Sequence, residues 1–322
     1  MSPKFPLIKR KLYKLPFIKK TIIPFSNFDH TGLGSNVIYA PHPFTNWSLN
    51  PGYKNNEGNL DHTKEGFRKV NYDSIYQISK NIKKIYCLGG STTYCTALNS
   101  YKQSWPYLLW EKLNPDTNIE VINAGVGGWG TLQSLIRFSS WGQKLKPNLT
   151  IIYQAKNDLT FYYNGNPEEK EVYPDYSNII GHPPISQFTR VLLNFIPLDL
   201  VSLCYGKKMK PNRKNLLRYK KESFDSSIAR YLTIINIAKT WGGKILFIPE
   251  IINGSPYFDY VNKLNMEALK TIEKEENCFI FNLEDKIIKN KENFMDKMHF
   301  TKKGCSIFSN LVASFIRKNQ LL

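Results

Sequence analysis

Residues 83–95 read KKIYCLGGSTTYC. The run through Gly89 has strand length and is dominated by apolar, β-prone residues, the pattern of a strand buried on both faces. Gly89 and Gly90 then permit a tight turn, and Ser91 opens the segment that follows. A strand that passes through glycine into a helix start raises the serine hydroxyl above the sheet, beside unpaired backbone N–H groups. Alone, the same residues read more readily as a glycine turn with serine capping a helix.

Four more runs of this kind follow: EVINAG (120–125), NLTIIYQ (148–154), KILFIPE (244–250) and CFIFNL (278–283). Amphipathic helical segments lie between or beside them, over 102–113, 131–145, 223–240, 258–276 and 303–318. Alternation of strand and helix predicts an α/β protein with helices on both faces of a parallel sheet of about five strands. Residues 160–222 interrupt the rhythm and form an insert too long for a simple connection. The chain therefore divides into a basic N-terminal segment (1–28), an irregular Pro-, Asn- and Gly-rich extension packed on the core (29–82), and the α/β domain (83–322).

Composition narrows the function classes. The 322 residues carry a net charge of +18. Fifteen of those charges sit in two acid-free segments, 1–20 and 207–221, so the body of the protein is nearly neutral. Such segments suit an anionic membrane surface or an acidic polymer, or are simply solvated; nucleic acid is not the expected partner. In the first segment Phe5, Ile8, Leu12, Leu15, Ile18 and Ile22 recur at helical steps, although Pro6 and Pro16 oppose a continuous helix. The five cysteines include no CxxC pair, which argues against a thiolate zinc site or a disulfide framework. No uninterrupted apolar run is long enough to span a bilayer, and no cleavable leader is recognised, so the expected compartment is the cytoplasm, with membrane association left open.

In an open parallel sheet ligands bind beyond the carboxyl ends of the strands. The second run ends in VINAGVGGWG (121–130), where Gly125 can bring its N–H close to a substrate. The third ends in IIYQAKNDL (151–159), where the Asn157 amide could face a carbonyl oxygen, or Asn157-Asp158 could cap the next element. Near the C-terminus, FMDKMHFTKKG (294–304) sets Asp296 three residues before His299. One turn or tight loop would put both on one side, as a carboxylate–imidazole relay needs; an exposed ion pair is the plainer alternative.

Together the serine turn, the glycine loop, the asparagine loop and the DxxH block resemble the SGNH hydrolase superfamily, the GDSL-type esterases, over residues 83–318. The stretch NPGYKNNEG…EGFRKV (50–70) resembles the lead-in of the bacterial subgroup that reads GGST. The resemblance implies a three-layer α/β/α sandwich of flavodoxin-like order. It implies a serine esterase cleaving an O-acyl ester, acetyl on a glycan among the candidates, through an acyl-serine. Ser91 would be the nucleophile, His299 the base and Asp296 its orienter. The oxyanion hole would be the Ser91 and Gly125 N–H groups and the Asn157 amide, with no metal or organic cofactor. An acyltransferase with the same triad, or a non-catalytic basic binding protein, are the rival readings. Three positions depart from the pattern: Gly90 replaces the Asp of GDS, Ala155 a usual Gly, and Cys95 a Gly of many GGST-type members.

Other residues carry two readings each. Trp129, Tyr153, Tyr162 and Tyr163 could wall a substrate or pack in core and lid. Glu250, ending the fourth run, could touch substrate, cap a segment or form a salt link. His30, His42, His62 and His182 show no ligand spacing and are read as structural or exposed.

Overall fold

Five strands form the central sheet: β3 (Lys83–Gly89), β4 (Ile119–Asn123), β5 (Leu149–Tyr153), β6 (Lys244–Phe247) and β7 (Cys278–Ile280). All pair in parallel, in the order β4-β3-β5-β6-β7. The computed structural model describes residues 38–322 except 43, 56, 58, 116–117, 162–212, 253–261, 263–264 and 267, with backbone alone at 41, 46, 159–161 and 213–224. The N-terminal basic segment, His30, His182, Tyr162, Tyr163 and most of the 160–222 insert therefore lie outside the described residues.

Side chains alternate across each strand, and both faces are buried. Ile85, Cys87, Val121, Ile151, Tyr153 and Leu246 face one layer, where α2 (Trp105–Leu113) and α7 (Lys302–Lys318) pack. Tyr86, Leu88, Ile122, Ile152, Ile245 and Phe247 face the other, covered by α6 (Arg213–Lys239) and the segment that begins with α3 (Thr131–Arg137). The result is a three-layer α/β/α sandwich. In α7 the buried residues Cys305, Phe308, Val312 and Ile316 recur at three- and four-residue steps, one helical stripe against the sheet. The expected helix 131–145 is α3, a wider π turn (Phe138–Gly142) and the short α4 (Gln143–Leu145). The expected helix 223–240 begins ten residues earlier, inside the predicted insert. Residues 213–222 are rich in Lys, Arg and Leu, good helix formers that charge-based segmentation discounts. Among the described residues no helix is long and apolar enough to cross a membrane.

Strand order reverses direction at β3, which has β4 on one side and β5 on the other. Register sets Gly89 beside Tyr153 and Cys87 beside Asn123. The segments after β3, β4 and β5 therefore leave from one edge, at the switch point where open α/β sheets bind ligands.

The described part of the extension begins with the antiparallel pair β1 (Tyr39–His42) and β2 (Asn46–Leu49). Trp47 donates its indole N–H to Gly127 O, and Trp129 returns one to Trp47 O, both at 3.0 Å. Further along, the Arg68 N–H donates to Asn123 O at the end of β4. The fully buried Arg68 guanidinium donates to the carbonyls of Tyr94, Cys95 (2.8 Å) and Leu98 (3.0 Å) and lies 3.6 Å from the Asp61 carboxylate. It thus closes the carboxyl end of α1 (Ser91–Tyr94), whose last carbonyls have no helical partner. Arg68→Met strands these carbonyls and leaves Asp61 without its cation. The expected cost is about 3–5 kcal/mol in chemical denaturation, the range for breaking a buried ion pair; a loss below about 1 kcal/mol would contradict this account.

Candidate active site

Ser91 is the first residue of α1, directly after the β3 turn. Gly90 lets this turn approach the neighbouring loops: a Cβ there would lie 2.7 Å from Asn157 Nδ2 and 3.1 Å from Trp129 O. The Asn157 amide occupies the space that an Asp side chain would need. The GGS departure and the position of Asn157 are thus one packing solution. Cys95, the other departure in this block, terminates α1 with φ +62. Glycine is the unstrained residue in this left-handed position, which accounts for glycine being at home there; Cys95 instead packs its side chain in the core, its Sγ 3.9 Å from that of Cys305.

The DxxH block is a tight loop. Phe294 and Phe300 form an isolated antiparallel bridge, and both rings are buried in the layer of α2 and α7. Across the loop the Met295 N–H donates to His299 O at 2.8 Å. Asp296 Oδ1 accepts the Met298 and His299 N–H groups, each at 2.8 Å. Its second oxygen, Oδ2, accepts from His299 Nδ1 at 2.7 Å. Burial pushes the Asp296 carboxyl up, but the donors from His299 and Met298 outweigh it and hold the group below its ordinary range. An ionised carboxylate only accepts, so the His299 proton sits on Nδ1 and the Nε2 lone pair is free. That Nε2 lies 2.8 Å from Ser91 Oγ, which donates to it. The chain thus brings together three residues spanning more than two hundred positions, with a hydroxyl, an imidazole and a carboxylate in series.

Beside the hydroxyl lie backbone and amide donors. The Ser91 N–H is at a helix start, where no intrahelical acceptor exists. Asn157 Nδ2 donates one hydrogen to Trp129 O at 2.9 Å, which fixes the amide plane. Its other hydrogen remains available for a second acceptor. Asp158 secures the same loop: its Oδ1 accepts the Thr131 N–H and hydroxyl, both at 2.8 Å, tying α5 (Lys156–Phe161) to the start of α3. Asp158 therefore caps α3, a helix that precedes it, rather than the element that follows.

Gly125 is different. Its N–H donates to Asn123 Oδ1 at 3.1 Å, and a Cβ there would meet Tyr94 N at 2.4 Å, so the residue is wedged against α1 with its donor engaged. The donor must turn from Asn123 to serve the oxyanion hole expected of it. The next turn, Val126–Trp129, is closed by Trp129 N–H to Val126 O, with Gly128 at φ +80. Gly127 and Gly128 donate no N–H to a described residue.

The other singled-out residues resolve as follows. Trp129 and Tyr153 are core, 1% and 0% exposed. His62 is buried, its ring nitrogens bonded to Asn50 O and the Tyr94 hydroxyl, and burial pushes it down to about 3, so it is neutral. His42 accepts from the Thr45 N–H and lies 2.9 Å from its hydroxyl. Among the described residues no group of three His, Cys, Asp or Glu could hold a metal ion. Lys156, which no motif flags, places its ammonium 3.2 Å from Met298 Sδ in the DxxH loop. Glu250 caps a segment, one of the readings open from sequence: its Oε2 accepts the Ala155 and Lys156 N–H groups at the start of α5. Arg68 is the residue that sequence reasoning missed; it bonds across distant segments, which no local spacing reveals.

No protein-family model and no curated protein matches the chain. Several solved structures are similar. "Crystal Structure of TesA" aligns at TM-score 0.49 and 14% identity, covering 74% of this chain and 100% of that one. A mutant of Axe2, an acetyl-xylooligosaccharide esterase from Geobacillus Stearmophilus, aligns at 0.48 and 16%, covering 73% and 93%. The psychrotrophic esterase EstA from Pseudoalteromonas sp. aligns at 0.47 and 14%, covering 73% and 97%.

Proposed function

We propose that the protein is a serine ester hydrolase of SGNH type, cleaving an O-acyl ester through an acyl-serine intermediate. The observation that carries this reading is the unbroken series Asp296 Oδ2, His299 Nδ1, His299 Nε2, Ser91 Oγ, with links of 2.7 and 2.8 Å. His299 Nε2 takes the Ser91 proton as Oγ attacks the ester carbonyl, and Asp296 stabilises the imidazolium that forms. The Ser91 N–H, the Asn157 amide and the Gly125 N–H, released by Asn123, receive the carbonyl oxygen as it becomes negative. His299 then returns the proton to the leaving alcohol. A water, deprotonated by the same nitrogen, releases the acid and restores Ser91.

Asn157→Ala removes the amide donor. The expected loss is about 10²–10³-fold in kcat, the scale for one oxyanion donor, with KM little changed. A variant that keeps the wild-type kcat would remove Asn157 from the mechanism.

The reading is tested with short-chain aryl esters and with acetylated oligosaccharides, following both acid release and transfer to an added sugar acceptor. Free acid as the main product with the acceptor present supports a hydrolase. Acylated acceptor as the main product would make the protein a transferase using the same acyl-enzyme. No turnover of any ester by the folded protein would remove the esterase reading.

A further inference from the structure

Glu250 lies three residues beyond β6, is 3% exposed and is absent from the chemical steps above. Its carboxylate joins two of the segments that carry those steps. Oε1 accepts the hydroxyl of Thr92, the residue after Ser91, at 2.6 Å. Oε2 accepts the backbone N–H groups of Ala155 and Lys156, at 2.9 and 2.8 Å, immediately before Asn157. Three donors from two loops thus converge on two acceptor oxygens of one side chain. A carboxylate is the side chain that accepts at both oxygens, which is what this junction requires. The Thr93 hydroxyl, bonded to Tyr153 O at 2.9 Å, is the neighbouring link one layer down, at the strand ends themselves.

Resting on the proposed esterase reading, we infer that Glu250 is a positioning residue that sets the spacing between the Ser91 N–H and the Asn157 amide by clamping Thr92 to Ala155 and Lys156. It does not touch substrate. It acts by holding the two halves of the oxyanion site at the separation a tetrahedral intermediate needs, where a misplacement of about 1 Å can cost about 100-fold in rate. The residue at the end of this fourth strand is thereby tied to the reaction although it lies outside all four motif blocks.

Three variants test this, each measured per active site after titration with a fluorophosphonate, which removes any misfolded fraction from the rate. In Glu250→Ala, kcat falls about 30–100-fold while KM stays within about twofold and the pH profile keeps its shape. Glu250→Gln keeps an oxygen for the two N–H groups and turns its amide toward Thr92 Oγ1, which can accept. It restores kcat to within about threefold of wild type. Thr92→Val is nearly isosteric, releases only the α1 side of the clamp and lowers kcat about tenfold, so the inference stands or falls even where the alanine variant does not fold. The inference is overturned by wild-type kcat per site in either Glu250→Ala or Thr92→Val, by a loss confined to KM, or by a glutamine variant as slow as alanine. Failure of the underlying esterase reading shows separately, as a wild-type protein that neither takes up the fluorophosphonate nor turns over ester.

Discussion

Ser91→Ala lowers ester turnover by about 10⁴–10⁶-fold, the scale on which loss of a triad nucleophile is felt. The variant keeps the helix start and its N–H. It loses only Oγ, whose partner in the structure is His299 Nε2. The fold is therefore expected to survive, with a melting temperature close to wild type. The residual rate reflects binding and the oxyanion donors alone. Affinity for a non-hydrolysable ester analogue should also persist, which separates loss of chemistry from loss of the site. Ester turnover by the purified variant within tenfold of wild type would mean that another group attacks the substrate.

Asp296→Asn is expected to lower kcat by about 10³–10⁴-fold, because an amide turned toward His299 favours the wrong tautomer. With a proton on Nε2, the imidazole can no longer accept from Ser91. The variant also separates two roles of one side chain. Asn Oδ1 can still accept the Met298 and His299 N–H groups that shape the loop, so the loss should lie in kcat with the fold intact. The pH dependence follows from the same geometry. The Asp296 carboxyl is held below its unfolded value, so its contribution to loop stability is complete above the unfolded carboxylate range. That contribution is lost only as pH falls through the lower, folded value. The stability of the wild-type protein should accordingly hold down through the unfolded carboxylate range and fall in stronger acid, a fall missing from Asp296→Asn, read as melting temperature against pH. An acid loss of stability equal in the two proteins would contradict this role for the carboxylate.

The fold was legible because buried parallel strands leave uninterrupted apolar runs, and the five runs chosen from sequence are the five strands of the sheet. Their ends were legible too, since glycine after a strand marks where the chain turns. The start of α6 was not, because a dense run of Lys and Arg looks like a solvated insert even where it is helical. At the site, Ser91, Asp296 and His299 could be paired from motifs whose residue types suit one chemistry, and the structure sets them within hydrogen-bond reach. Gly125 could not be judged from sequence, because whether an N–H is free depends on a side chain two residues away, Asn123, turning back on it. The partners of Arg68 and Glu250 were illegible for a further reason. Each holds together backbone groups from segments far apart in the chain, and a sequence records no partner for a backbone carbonyl or N–H. Trp129 and Tyr153, open between wall and core, are core: Tyr153 fills the layer of α2 and α7, and Trp129 packs with Trp47 and Leu49 of the extension.

The mechanism requires an activated hydroxyl at residue 91. Its most direct measurement is labelling of the native protein with a fluorophosphonate at neutral pH, followed by mass-spectrometric location of the adduct. The phosphonyl group is predicted on Ser91 Oγ, at one equivalent per chain, with the adduct absent from Ser91→Ala and from protein unfolded beforehand. A folded protein that takes up no label, or carries it on any residue other than Ser91, would contradict the mechanism.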